Sequence, residues 1–105
     1  MAASRLDQLS EILKQSPGNL LARYGLAVEY AQLGDHENAL ANLRALMASN
    51  PDYVAAYYQA GRVLQKVGDK GQAREVFEQG ILACNRVGDQ HAKSEMEAAL
   101  GELMN

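Results

Sequence analysis

Two histidines, one cysteine and a glycine–lysine turn are the side chains of this sequence whose types could do chemistry. A histidine can act as a general base or a metal ligand. His36 and His91 each follow an acidic helix start, at Gly34-Asp35 and Asp89-Gln90, among polar neighbours. That placement predicts solvated helix-terminal residues. No pair of His or Cys has metal-ligand spacing. A nucleophilic cysteine needs a thiolate, hence an electropositive and accessible setting. Cys84 instead shares an apolar stripe with Phe77, Gly80 and Ile81, which predicts a buried structural thiol. Gly68-Asp69-Lys70-Gly71 lacks the strand–GxxxxGK[ST]–helix setting of a phosphate loop and reads as an interhelical turn. There is no G-x-S-x-G elbow, and the carboxylates lie on polar helix faces. These residues predict no enzyme, no cofactor and no metal.

The elements that would carry any site are set by a repeat. Pro17 and Pro51 are 34 residues apart, as are Gly34-Asp35 and Gly68-Asp69, Ala39 and Ala73, Tyr24 and Tyr58, and Ala22 and Ala56. Leu33 with Val67, Leu43 with Phe77 and Met47 with Ile81 keep the same register. A fixed period of this length indicates a stack of supersecondary units. Each period reads as two helices. Leu20 to Leu33 is almost wholly apolar or small; Gly34 ends it in the left-handed conformation and Asp35 caps the next helix. Ala39, Leu40, Leu43, Leu46 and Met47 recur at helical spacing until Pro51, after which Asp52 can cap a successor. The second period repeats this with Tyr57, Ala60, Gly61, Leu64 and Val67, then Ala73, Val76, Phe77, Gly80, Ile81 and Cys84.

The flanks are partial units. Leu6, Leu9, Ile12 and Leu13 resemble a second helix without its first, with Ser4 and Asp7 placed for a capping box. Ala92, Met96, Ala99, Leu100 and Leu103 form a last amphipathic helix, shifted by what reads as one inserted residue between Asn85 and Asp89. The expected layout is a flanking helix over 3–16, repeats over 20–53 and 54–87, and a capping helix over 89–104, six helices and no strand. Charges on the first helix (Asp7, Glu11, Lys14) and the last (Asp89, Lys93, Glu95, Glu97, Glu102) suit solvating caps. Mid-helix glycine costs about 1 kcal/mol against alanine, so Gly61 and Gly80 call for close packing. Their register partners are Ala27, which fits a tight crossing, and Leu46, which does not. Gly25 and Gly101 have no evident reason.

At 105 residues the chain is one domain that would bury about 65% of its unfolded surface, leaving roughly 5,800 Å² exposed. With 48% hydrophobic and 22% charged residues it is not a disordered composition. A net charge of -3 argues against a general nucleic-acid or anionic-membrane binder. A single cysteine excludes an internal disulfide and fits a reducing, cytoplasmic setting. No apolar run reaches membrane-span length, and Met1-Ala2-Ala3-Ser4-Arg5 lacks the basic start and apolar stretch of a secretion signal.

Tyr57, Ala60-Gly61, Leu64, Ala73, Phe77 and Gly80 in one unit, and Leu26-Ala27, Tyr30, Ala39, Leu43 and Pro51 in the other, resemble the tetratricopeptide repeat (TPR) family. Departures are Arg23 in place of the early aromatic and Asn85 in place of the closing proline. The resemblance implies an all-α, right-handed solenoid of antiparallel-packed helices and a non-catalytic protein- or peptide-binding role. It implies a concave groove lined by the first helix of each pair. Leu21, Tyr24, Val28 and Gln32 would come from one repeat, and Tyr58, Arg62, Gln65 and Lys66 from the next. The capping helix would add Lys93 and Glu97. Arg62 and Lys66 lie one turn apart on one face, and arginine grips carboxylates in two places, so the partner would be an extended, acidic or carboxyl-terminated peptide. The asparagines with which some relatives clamp chaperone tails fall here on Gly25 and Gln59, so that clamp is incomplete. A rival role is a homodimer scaffold that pairs through Leu100, Leu103 and Met104.

Overall fold

The computed structural model describes residues 4–104. The residues before Ser4, on which the leader reading and the start of the first flanking helix fall, lie outside them. The described residues form six helices and no strand: α1 Arg5–Gln15, α2 Leu20–Gln32, α3 His36–Ser49, α4 Val54–Lys66, α5 Lys70–Val87 and α6 Gln90–Met104. The expected all-α architecture is therefore the observed one.

Helix starts follow from short polar side chains that satisfy otherwise orphaned N–H groups. The Asp7 N–H donates to Ser4 Oγ (3.1 Å), Ala22 to Asn19 (3.0 Å), Asn38 to Asp35 (3.2 Å), Gln72 to Asp69 (3.0 Å) and Ala92 to Asp89 (3.0 Å). The exception is α4. Its cap residue is Tyr53, which makes no side-chain capping bond. Asp52 sits one residue too early to cap and instead accepts from Arg86 Nε at 2.7 Å, while Arg86 Nη2 donates to the Pro51 carbonyl at 3.0 Å. This contact ties the end of α5 to the turn before α4. Helices α2, α4 and α5 stop where Gly34, Gly68 and Gly88 take φ of +82°, +86° and +75°, which a Cβ would disfavour.

The shift of the last helix is larger than the sequence suggested. α2 and α4 begin 34 positions apart, at Leu20 and Val54, whereas α6 begins 36 after α4, at Gln90. The cause lies in α5. With Asn85 where α3 is followed by Pro51, nothing stops the helix, and it runs 18 residues against 14 for α3. Two residues are inserted rather than one. Burial agrees with the larger shift: Ala60 and Val63 of α4 correspond to Met96 and Ala99, all buried.

Short turns make successive helices antiparallel, and they stack as alternating rows. The backbones of successive helices come close within the row α2, α4, α6 but not within α1, α3, α5, where Arg44 of α3 reaches Gln72 of α5 through long side chains at 2.7 Å. The stack therefore curves toward α2, α4 and α6. It measures 46 × 28 × 20 Å. Its accessible area of 6176 Å² is somewhat above the ~5,800 Å² of a compact globule, as an elongated stack requires. The core is continuous. One cluster joins Ala27, Ala39, Leu43, Leu46, Ala56, Ala60 and Val63; the other joins Tyr57, Leu64, Ala73, Phe77, Ala83, Cys84, Met96 and Ala99. Leu40, Met47 and Val76 pack against both.

Three of the helix-interior glycines now have causes. The Phe77 ring occupies the space a Cβ on Gly61 would need. At Gly80 a Cβ would meet Met96 and, at 2.7 Å, Tyr57 Cβ. The mismatch of Gly80 with Leu46 resolves through the shifted register. Leu46 shares its cluster with small Ala60, and at the register place of that pair small Gly80 packs with large Met96. Gly25 lets α1 approach, since a Cβ there would lie 3.3 Å from Leu9 Cδ2. Gly101 has open space around it.

Candidate functional site

The concave side is built by α2, α4 and α6, which run in the same direction. Their first turns form one rim and their last turns the other. Near the first rim a hollow of about 280 Å³ is lined by Tyr24, Val54, Ala55, Tyr58, Asp89, His91, Ala92 and Glu95. Tyr24 and Tyr58 are half-buried and held by other rings. Tyr24 packs on Tyr53 at 5.7 Å between centroids, and Tyr58 on Phe77 at 6.3 Å. Their planes are thus fixed before any partner arrives. This rim is acidic: Asp89 caps α6, and Glu95 lies 3.3 Å from His91 Nε2.

Toward the other rim Arg62 is the organising side chain. Its guanidinium lies 5.9 Å from the Tyr58 ring centre. Its Nη1 donates to Gln65 and to Glu102 of α6, each at 3.2 Å. The arginine is 43% exposed and Glu102 62%. Lys66 is exposed one turn beyond, and Gln32 is exposed at the end of α2. Arg62 thus joins Tyr58 and Gln65 in contact, and Lys66 follows it by one turn of α4.

Leu21 and Val28 of α2 hold the register places of Ala55 and Arg62, and with Tyr24 they border a groove of about 470 Å³ against Leu9 and Ile12 of α1, at the N-terminal edge of the row; Tyr24 also borders the concave hollow. Lys93 is half-buried, and its positive charge bears on Cys84 of α5. On a helix it points about 200° away from His91 and Glu95, so it leaves the groove set. The physical reason is the two-residue insertion: Ser94, not Lys93, stands in register with Tyr58, and Lys93 replaces buried Tyr57. Glu97 falls in the register place of Gly61 and is likewise off the groove. Reasoning from sequence missed Asp89, His91, Glu95 and Glu102, because the register of α6 depends on where α5 ends.

The reactive side chains fit no catalytic arrangement. Cys84 is 1% exposed, and burial, with a smaller contribution from the Asp89 charge, pushes its thiol up, which disfavours a thiolate. The His91 side chain is 90% exposed. His36 is half-buried rather than solvated, with a buried Nδ1 that has no hydrogen-bond partner. Among the described residues no three His, Cys, Asp or Glu side chains are grouped to hold a metal, and no helix is long and apolar enough to cross a membrane. At the C-terminal end, Leu100 and Leu103 pack inward against the core, leaving Met104 exposed.

A family model described as the tetratricopeptide repeat matches residues 30–100. The chain is 33% identical over 98 residues to the TPR repeat-containing protein PA0015 of Pseudomonas aeruginosa, covering 93% of each. It is 31% identical over 64 residues to a tetratricopeptide repeat and J domain-containing co-chaperone of Cryptococcus neoformans, covering 61% of this chain and 12% of that protein. The solution structure of protein BPP2914 from Bordetella parapertussis superposes with a TM-score of 0.86 at 32% identity, covering 98% of this chain and 90% of that one. Stacked helix hairpins, a concave row of first helices and these likenesses agree: the chain belongs to the tetratricopeptide-repeat family and is a protein-interaction module.

Proposed function

We propose that the concave face binds an extended segment of a partner protein and that Arg62 and Lys66 take an acidic side chain or a terminal carboxylate of that segment. The observation that carries this reading is Arg62 itself. It rests near the Tyr58 ring and already engages a carboxylate, that of Glu102 at 3.2 Å. Both partners are partly exposed, so the pair is worth about 0–1 kcal/mol and a ligand carboxylate can replace Glu102 at little cost. Tyr24 and Tyr58 supply rigid, amphipathic contact surface. Three short helices give a small interface, which favours micromolar affinity. The co-chaperone among the relatives is named for work with other proteins, which supports the partner class.

Fluorescence anisotropy with peptides ending in acidic residues tests the reading. Wild type should bind. The double variant Arg62→Glu/Lys66→Glu should lose binding while thermal stability stays almost intact, since Lys66 is exposed and Arg62 only half-buried. Equal affinity of the two proteins would reject the assignment.

A further inference from the structure

The two ends of the stack are finished in opposite ways. Inside the stack, each second helix is covered by the first helix of its own hairpin: Leu43 and Leu46 of α3 are 1% and 0% exposed. α1 is a second helix with no described first helix over it. Its counterparts of Leu43 and Leu46 are Leu9 and Ile12; Leu9 is half-buried and Ile12 is 43% exposed. Beside them α2 presents Leu21, 75% exposed, with Tyr24 and Val28, and these five side chains line the 470 Å³ groove. The inner repeat has Ala55 and Arg62 where α2 has Leu21 and Val28. The open end is thus more apolar than the interior position it copies. The C-terminal end is the reverse. Lys93 and Glu97 stand in register with Tyr57 and Gly61, which face α5, so α6 offers charge where a further helix would dock. A terminal unit of a solenoid needs a polar outer face. The C-terminal end meets that need; at the N-terminal end Asp7, Glu11 and Lys14 are exposed as a solvating face, yet Ile12 and Leu21 leave an apolar strip uncovered beside it.

We propose that the α1/α2 groove docks an amphipathic helix of another protein, laid antiparallel to α1 in the place that α2 takes on α3. The interior hairpins specify its chemistry. Gly61 receives the Phe77 ring and is followed three positions on by Leu64; Ala27, buried in the first cluster, is followed three positions on by Tyr30. The docked helix therefore carries a small residue with a large apolar residue three positions after it. Tyr53 of the inner repeat packs on Tyr24 of α2, and its register counterpart here, Asn19, lines the groove while its side chain caps α2. Arg5 and Glu29, paired at 3.5 Å, put charge beside the apolar strip. A second copy of this chain fits poorly. Its other exposed apolar residues, Leu33, Val67 and Val87 at helix ends and Leu82 and Met104 singly, form no stripe.

The test uses a capped synthetic peptide of residues 53–67, which carries the Tyr57, Gly61, Leu64 pattern, titrated into the methyl-labelled protein and followed by NMR. Saturable shifts at Leu9, Ile12, Leu21 and Val28 are expected. Leu21→Glu in the protein should weaken binding roughly tenfold, since it removes one apolar contact and Leu21 is too exposed for the change to unfold the chain. A peptide with Gly61→Leu should not bind, and Arg62→Glu in the protein should leave binding unchanged, which separates this groove from the concave face. No saturable shift, shifts confined to α4 and α6, or indifference to Leu21→Glu would overturn the proposal. So would the same methyl shifts appearing on raising protein concentration alone, which would make a second copy the occupant.

Discussion

Gly61 and Gly80 illustrate how single residues set the helix spacing. Each glycine costs helix stability, and each is offset by a large neighbour packed into the missing side chain's place, Phe77 in one case and Met96 in the other. Gly61→Ala should therefore destabilise by about 1–3 kcal/mol in denaturant unfolding, because the Phe77 ring must move. Gly101→Ala should do the reverse and stabilise by about 0.5–1 kcal/mol, since that glycine lies within α6 with no neighbour to gain from it. Asp35 offers a test by pH. The Asn38 side chain, and then the Asn38 N–H, hold its carboxyl below the ordinary 3.8. A folded pKa below the unfolded one means that the cap's stabilisation is present above the ordinary value and fades as pH falls through the folded value. An NMR carboxyl titration should show that low midpoint, and Asn38→Ala should move it back up. The need for small size at Gly61 was legible, because its register partner is Ala27. At Gly80 the same need was read from its mid-helix position but its cause was not, because the large neighbour Met96 lies beyond an insertion.

At the scale of helices, boundaries came from a few polar and cyclic residues. Asp35, Asp69 and Asp89 cap as their positions suggest, whereas Asp52 does not. Asp69→Ala should cost about 1 kcal/mol. Asp52→Ala should cost less, since it only releases a half-exposed pair with Arg86. A pair of thermal melts distinguishes these, and equal losses would restore Asp52 as a cap. The length of α5 has the widest consequence. Asn85→Pro would remove a helix N–H and clash one turn back, at a cost of about 3 kcal/mol or more, seen as a lower denaturant midpoint. A neutral outcome would mean that α5 ends before Asn85.

Across the whole molecule, contacts are made between neighbours in the stack, so stability should vary along it. α1 contributes no buried residue, whereas α4 contributes six and lies between both core clusters. Native-state amide exchange should therefore be fastest in α1 and slowest in α4. The same layout separates two surfaces. The concave face has ring-packed tyrosines and a partly exposed arginine–carboxylate pair, and the N-terminal groove is an uncovered apolar seam. Binding at one should leave the other free except through Tyr24, which borders both.

The sequence by itself determined the helix-pair repeat, the family and the sharing of one face by Arg62 and Lys66, because these follow from spacing along the chain and from turn chemistry. Only the tertiary structure decided that Lys93 turns away from His91 and Glu95 while Glu102 reaches Arg62, that Leu21 and Val28 also border α1, and that Gly80 answers Met96. Each of those depends on the rotation of one helix against another, which is set by how far the preceding helix runs and by which side chains then meet.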